Sequence, residues 1–417
     1  MTSSAADLLD LDITGIAHGG TFIARHEGRV VFVSDAIPGE RVRARLLAPV
    51  GGADADNRSF WRAETVEVLE ASEHRRPHFW AEADVARDPA DRPGGADLGH
   101  IDLAHQRVLK RQVLSEALDR FAGPGLEAPE IESVESGDGT AWRTRVTLHV
   151  GDDGEAGPFA ARSHRVIPVS SHPLARPAIA EAALALRGEA PGRIELVEPA
   201  DGEVRVIRRA ETERPARVAR GFRRRPTPEV IEEVVGDRRF QVDATGFWQV
   251  HPRAASVLDA AVYGLLEDHV DTESARTHYD LYGGVGLFSA TLADLGATDI
   301  VTVESSPRAT EHARRNLAPL EVTAVTARVE RFLASRTGGG RTGTVVLDPP
   351  RAGAGRQVVE AIHTLSPEAI TYVACDPVAL ARDLGTFRGL GWNVDRLRGF
   401  DLFPHSHHFE VVALLTR

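Results

Sequence analysis

Cysteine is nearly absent from this chain. Its 417 residues hold one, Cys375, and a single methionine. One thiol excludes an intramolecular disulfide framework and any metal site built from several cysteines. Long apolar runs are missing too, so no stretch reads as a membrane span. The start, "MTSSAADLLDLD", has neither the basic nor the apolar region of an export signal, and the expected compartment is the cytoplasm. Positive charge is in deficit: the formal net charge is −12, which excludes a molecule-wide affinity for polyanions. No internal repeat is visible. The length suggests two or three domains.

The charge deficit has one local exception. Nine arginines lie between Arg205 and Arg225, against Glu211 and Glu213. Such a run is either a solvated face or a face that contacts phosphates, which the forked guanidinium suits.

The lone cysteine stands in "ITYVACDPVALARDL". β-Branched and aromatic residues lead up to it as in a short buried strand. Asp376 is a plausible helix N-cap and Pro377 a first helical residue. A thiol at the carboxyl end of a strand sits where open α/β sheets hold their ligands. The following helix N-terminus favours a thiolate, the nucleophilic form. The alternative is a small buried hydrophobe.

Along the chain, residues 10 to 70 read as all-β. Alternating stretches such as "GRVVFVSDAIPGERVRARL" are broken by glycines and Pro38-Gly39, and five such strands fit a small closed barrel. Residues 71 to 101 are irregular, and "DLAHQRVLKRQVLSEALDRF" has helical periodicity. Residues 140 to 235 mix strands with a helix. From about 236 strands and helices alternate, the pattern of a parallel sheet. The expected division is 1–70, 71–235 and 236–417, with the helix of 102–123 packing on the last unit.

"DLYGGVGLFS" supplies Gly284-x-Gly286, but Ser289 takes the third glycine position of a dinucleotide fingerprint. Glu304 ends the next strand, where an acid meets ribose hydroxyls. A pyrophosphate would need the helix N-terminus. S-adenosylmethionine has ribose and adenine but no phosphate, and this turn suits it at least as well. In "VVLDPPRAGAG", Asp348 leaves a buried strand and meets two prolines that stiffen the loop. Arg351 follows them instead of a base-stacking aromatic residue, which argues against methylation of an exocyclic amine.

Here the sequence resembles the TRAM-bearing RNA 5-methyluridine methyltransferases. "GGTFIARHEGRVVFVSDAIPGERV" is similar to the TRAM barrel, and "FWQVHP" to a Phe-x-Gln-x-Asn segment with His251 in the Asn place. "DLYGGVGLFS", "LDPPRAG", "ACDPVALARDL" and "FPHSHHFEVVALL" resemble four further motifs in the family's order. The resemblance spans nearly the whole chain. It implies an α/β fold: a Rossmann-like class I methyltransferase domain, an N-terminal OB-like barrel and a small central α+β domain. It also implies S-adenosylmethionine-dependent C5-methylation of a uridine in RNA, with 23S rRNA favoured and tRNA the nearest alternative. A non-catalytic RNA-binding scaffold is the reading from another class. The family's cysteine adds to C6 of uracil and its glutamate takes the C5 proton; these are Cys375 and Glu410. Cofactor contacts fall on Gln249, Tyr282, Glu304 and Asp348. A monomer that binds RNA and no membrane is expected.

The chain departs from the family at its iron–sulfur site. Arg76 and Ala96 stand where cysteines are found in many relatives, and His172 in "SSHPLA" takes the fourth place. Iron–sulfur clusters need thiolates, so no cluster and no other metal is expected.

Overall fold

The computed structural model describes residues 8–47, 60–161, 163–210, 227–271, 276–336 and 341–417. Five strands, Leu8–Ala17, Thr21–His26, Arg29–Ser34, Arg41–Leu46 and Phe60–Glu70, close into a barrel in the order 1-2-3-5-4. Only the third and fifth run parallel. Alternate residues point inward, Phe22 and Ala24 opposite Val33 and Val31, as the period of two requires. Leu98, Ile101 and Leu109 enter the same core, which seats the barrel on the helix C-terminal to it.

That seat is the helix Leu103–Ala117, capped by Asp102, whose carboxylate accepts the His105 N–H at 2.8 Å. Leu109 faces the barrel, whereas Leu114, Ala117 and Leu118 join the core of the C-terminal sheet. Lys110, on the same helix, is buried and bonds Asp401 at 2.6 Å.

The C-terminal sheet has eight strands in the order Val322–Thr326, Asp299–Glu304, Thr277–Leu281, Thr342–Leu347, Ala369–Ala374, Glu410–Thr416, Asn393–Asp401, Ile131–Ser133. The first five run parallel, and Glu410–Thr416 is inserted antiparallel. Thr342–Leu347 and Ala369–Ala374 are buried at every position, because helices cover both faces. This is the expected α/β class with an N-terminal barrel.

The segment 71–235, read from sequence as one central unit, is divided in the structure. Ile131–Ser133 pairs with Asn393–Asp401 at the edge of the C-terminal sheet. The hairpin Val230–Val235 and Arg238–Asp243 packs on the same domain through Ile231, Phe240 and Val242. What remains is a sheet of Arg205–Ala210, Gly192–Val197, Arg145–Val150 and Ala156–Gly157, with the helix Pro177–Ala185 on one face. Pairing across such separations leaves no local periodicity to read.

In the arginine run, Arg205, Arg208 and Arg209 lie on a strand and pair with Asp201, Glu189 and Glu195 at 2.6, 2.8 and 3.5 Å. Acids brought close by the fold thus pair with them. Arg214, Arg217, Arg220 and Arg223–Arg225 lie outside the described residues. Among the described residues no helix is long and apolar enough to cross a membrane, and no group of three or more His, Cys, Asp and Glu side chains could hold a metal ion.

Candidate active site

The strand Ala369–Ala374 delivers Cys375 to the carboxyl edge of the sheet, partly accessible. The helix Pro377–Gly389 begins two residues on. Asp376 caps it, accepting the Val378 and Ala379 N–H groups at 3.1 and 2.8 Å. The neighbouring strand Thr342–Leu347 delivers Asp348 to the same edge. An antiparallel strand starts where its parallel neighbours end, so Glu410 begins there too. The ladder between them pairs Ala374 with Val411, which makes Cys375 and Glu410 the next opposing positions.

Burial and neighbouring acids raise each of these groups. Burial pushes the Cys375 thiol up to about 12, helped by the nearby Glu410 and Asp348 carboxylates and opposed by Arg351. Burial and then Asp348 hold Glu410 well above the usual carboxylate range, with Arg351 again opposing. Asp348 is lifted to about 7 by burial and by Asp280. Burial lifts Asp280 to about 6 against hydrogen bonds from the Ser289 hydroxyl and N–H, at 2.6 and 2.9 Å. The residue in the third glycine place therefore holds an acid of the site.

The glycine turn lies beside this cluster. A Cβ at Gly283 would run into Thr302 Oγ1 and Asp280 Oδ2, so the backbone passes where a larger residue cannot. Tyr282, just before it, is held at φ +64°, a sparsely populated conformation for a non-glycine residue. Glu304 turns back on the loop and accepts the Gly284 and Ser306 N–H groups at 3.2 and 2.6 Å. Asp280 Oδ1 is buried without a hydrogen-bond partner. A cradle closed to side chains, a carboxylate at the turn and buried acids with raised pKa fit a cationic nucleoside such as S-adenosylmethionine.

Of the six residues expected from sequence, Cys375, Glu410 and Asp348 share one electrostatic cluster, and Tyr282 and Glu304 flank the adjoining turn. Gln249 follows Trp248, which packs in the cluster that holds Val285 of the glycine turn. Its neighbour Val250 accepts the Thr144 N–H at 2.8 Å, which ties this segment to the central sheet. Phe247, two residues earlier, is 76% exposed, whereas Trp248 packs against Phe240 with ring centres 5.6 Å apart. His251 is buried and stacks on Trp142 at 5.9 Å.

Two arginines have surroundings that the sequence did not signal. Arg351 is the cation of the acid cluster and lies 3.3 Å from His408 Nε2, while burial holds His408 neutral, down to about 3. Arg143 packs on the Trp142 ring at 4.9 Å with its Nε buried and unbonded, and it lines a cavity of about 340 Å³ with Trp80, His149 and Phe159. At the places of the lost cysteines, Ala96 O lies 3.2 Å from His78 Nε2, and the His172 ring centre is 6.5 Å from that of Trp80.

The chain resembles known proteins over its full length. A family profile described as tRNA (Uracil-5-)-methyltransferase matches residues 334–417, and the TRAM domain matches 8–47. An uncharacterized RNA methyltransferase of Streptomyces avermitilis is 40% identical, with 97% of each chain covered. The 23S rRNA (uracil(1939)-C(5))-methyltransferase of Chromohalobacter salexigens is 32% identical over 98% of this chain and 89% of its own. The crystal structure of the Pyrococcus abyssi tRNA (uracil-54, C5)-methyltransferase with S-adenosyl-L-homocysteine shares the fold, with a TM-score of 0.69 at 21% identity over 97% of this chain and 99% of that one. An acid-ringed thiol opposite a buried glutamate, a glycine cradle and a TRAM barrel thus agree with full-length relatives: the chain belongs to the TRAM-bearing RNA (uracil-5-)-methyltransferases, enzymes dependent on S-adenosylmethionine.

Proposed function

We propose that the enzyme methylates C5 of a uridine in ribosomal RNA through a covalent adduct on Cys375. The observation that carries this reading is the ladder register that sets Cys375 opposite Glu410, with Asp348 and Arg351 in the same field. Ribosomal RNA is favoured by the full-length Chromohalobacter relative. A tRNA substrate is the second reading, favoured by the name of the matching family profile. The chain is proposed to act as a cytoplasmic monomer without an iron–sulfur cluster.

The residues set the mechanism. C5 of uracil is a poor carbon nucleophile. Addition of Cys375 Sγ to C6 breaks the C5–C6 double bond and makes C5 an enolate carbon, so one hard step becomes easier ones. The thiol's proton passes to water at this partly accessible edge as the C–S bond forms, and the departing thiolate takes one back at the end. When bound by Gln249, Tyr282, Glu304 and Asp348, S-adenosylmethionine supplies an electrophilic methyl group on a sulfonium whose charge offsets that of the carboxylates. Glu410 then removes the C5 proton, Cys375 leaves, and the ring is restored. A carboxyl group with a raised pKa is the stronger base once ionised, and Arg351 favours that ionisation. The uracil must leave its stack to reach this edge. Exposed Phe247 offers it a ring to stack on, and Arg143, whose Nε lacks a hydrogen-bond partner, offers a contact for RNA phosphate.

The test is mass spectrometry of nucleosides from unmodified ribosomal and transfer RNA, each incubated with enzyme and S-adenosylmethionine. New 5-methyluridine in ribosomal RNA supports the reading. Product only in tRNA replaces the substrate, and product in neither defeats the proposal.

A further inference from the structure

The turn between the first two barrel strands reaches the active site at two points. His18 Nε2 lies 3.1 Å from Asp376 Oδ2. The other oxygen of Asp376 is the one that caps the helix after Cys375. Asp376 is therefore held from both sides, by the helix start and by the barrel. Two residues on, Gly20 approaches so closely that a Cβ would stand 3.0 Å from His407 Cβ and 3.1 Å from Asp97 Cβ. His407 Nδ1 is itself 2.7 Å from Asp97, and it sits three residues before Glu410. One barrel turn thus touches the chain beside the thiol and the chain that leads to the glutamate.

We propose that His18 is a positioning residue for methyl transfer: it reaches from the barrel to Asp376 and fixes the backbone that carries the Cys375 thiol. The proposal rests on the reading of Cys375 as the nucleophile. His18 is half-exposed, so the contact contributes little to folding and its loss leaves a folded protein. Its value is geometric. Asp376 is bonded directly to Cys375, and a thiol that must approach C6 along one direction loses rate when its backbone gains freedom. Two residues of chain and one hydrogen bond thereby couple the barrel, a module suited to holding RNA, to the reacting sulfur.

The experiment compares wild type, His18→Ala and His18→Gln in single-turnover methylation of whichever RNA the wild type modifies, with affinities for RNA and S-adenosylmethionine measured separately. His18→Ala is expected to slow methyl transfer about tenfold with both affinities unchanged. His18→Gln, whose amide can still donate to Asp376, is expected to recover most of the rate. An unchanged rate in His18→Ala overturns the proposal, and so does a loss confined to RNA affinity, which would make His18 an RNA contact. If the wild type modifies neither RNA, the proposed function fails separately, and alkylation of the single thiol by iodoacetamide still decides about His18. His18→Ala leaves Asp376 held by the helix start alone and frees the backbone beside the sulfur, so the alkylation rate is expected to change severalfold. An equal rate in the two proteins overturns the proposal.

Discussion

Replacing Lys110 by methionine tests how the catalytic edge is held. Lys110 Nζ bonds Asp401 at 2.6 Å and the Phe403 carbonyl at 3.1 Å, and both charged side chains are 1% exposed. Asp401 ends a strand, and the loop after it leads through His407 and His408 to Glu410. In Lys110→Met, Asp401 is buried without its cation and must take up a proton. For a carboxyl with an ordinary pKa of about 3.9, protonation at pH 7 costs about 4 kcal/mol. Measured losses from breaking buried pairs are about 3–5 kcal/mol. With a urea slope of roughly 3 kcal/mol/M, the denaturation midpoint of the catalytic domain should fall by roughly 1–1.7 M.

The pH dependence sharpens the test. In the variant, Asp401 has a folded pKa raised above its unfolded value, so protonation favours the folded state. The deficit should shrink as pH falls, to about 1.5 kcal/mol at pH 5. Burial already pulls Lys110 down more strongly than Asp401 raises it. Removing both partners, in Lys110→Met with Asp401→Leu, should therefore recover stability to within about 2 kcal/mol of wild type. Methylation should stay impaired, because the Phe403 carbonyl keeps the Ser406 N–H and hydroxyl but loses the Lys110 bond that ties the loop to the helix. Urea unfolding followed by tryptophan fluorescence at pH 7 and pH 5 reads all of this. A loss in Lys110→Met under about 1 kcal/mol, or one that grows toward pH 5, refutes the reasoning.

The site implies other outcomes. Glu410→Gln should allow addition but stall release, so a denaturing gel should show an RNA–protein adduct that outlasts the wild-type one; its absence under methylating conditions contradicts the base assignment. Affinity for S-adenosylmethionine should rise with pH through about 7 as Asp348 ionises, and calorimetry on Asp348→Asn should show that dependence flattened. Burial holds His100 down to about 4, so the folded state binds fewer protons than the unfolded one below the ordinary histidine value. Stability should be full above about pH 6.5 and fall by about 2 kcal/mol from His100 alone by pH 5; flat stability across that window would contradict it.

Much of the site was legible locally. The strand before Cys375, the cap at Asp376 and the proline start of the helix are written in consecutive residues, and the structure has all three. The barrel and the parallel sheet were legible through their periods of two and their strand–helix alternation. What was not legible depends on long-range pairing. Ile131–Ser133 is too short to announce its sheet, and nothing near Lys110 or His18 points to Asp401 or Asp376. Arg205, Arg208 and Arg209 read as a cationic run because their neutralising acids include Glu189 and Glu195, on other elements. Ser289 broke a glycine fingerprint for a reason only the fold supplies: its hydroxyl holds Asp280.

The mechanism requires the lone thiol to bond to the substrate. That bond is read by mass spectrometry of the Cys375 peptide after rapid quenching of the enzyme with unmodified ribosomal RNA and S-adenosylmethionine, followed by nuclease and protease digestion. The peptide should carry the mass of a uridine nucleotide during turnover, and Cys375→Ala should make no 5-methyluridine. An unmodified Cys375 peptide at every time while 5-methyluridine accumulates, or turnover by Cys375→Ala, would contradict the covalent mechanism.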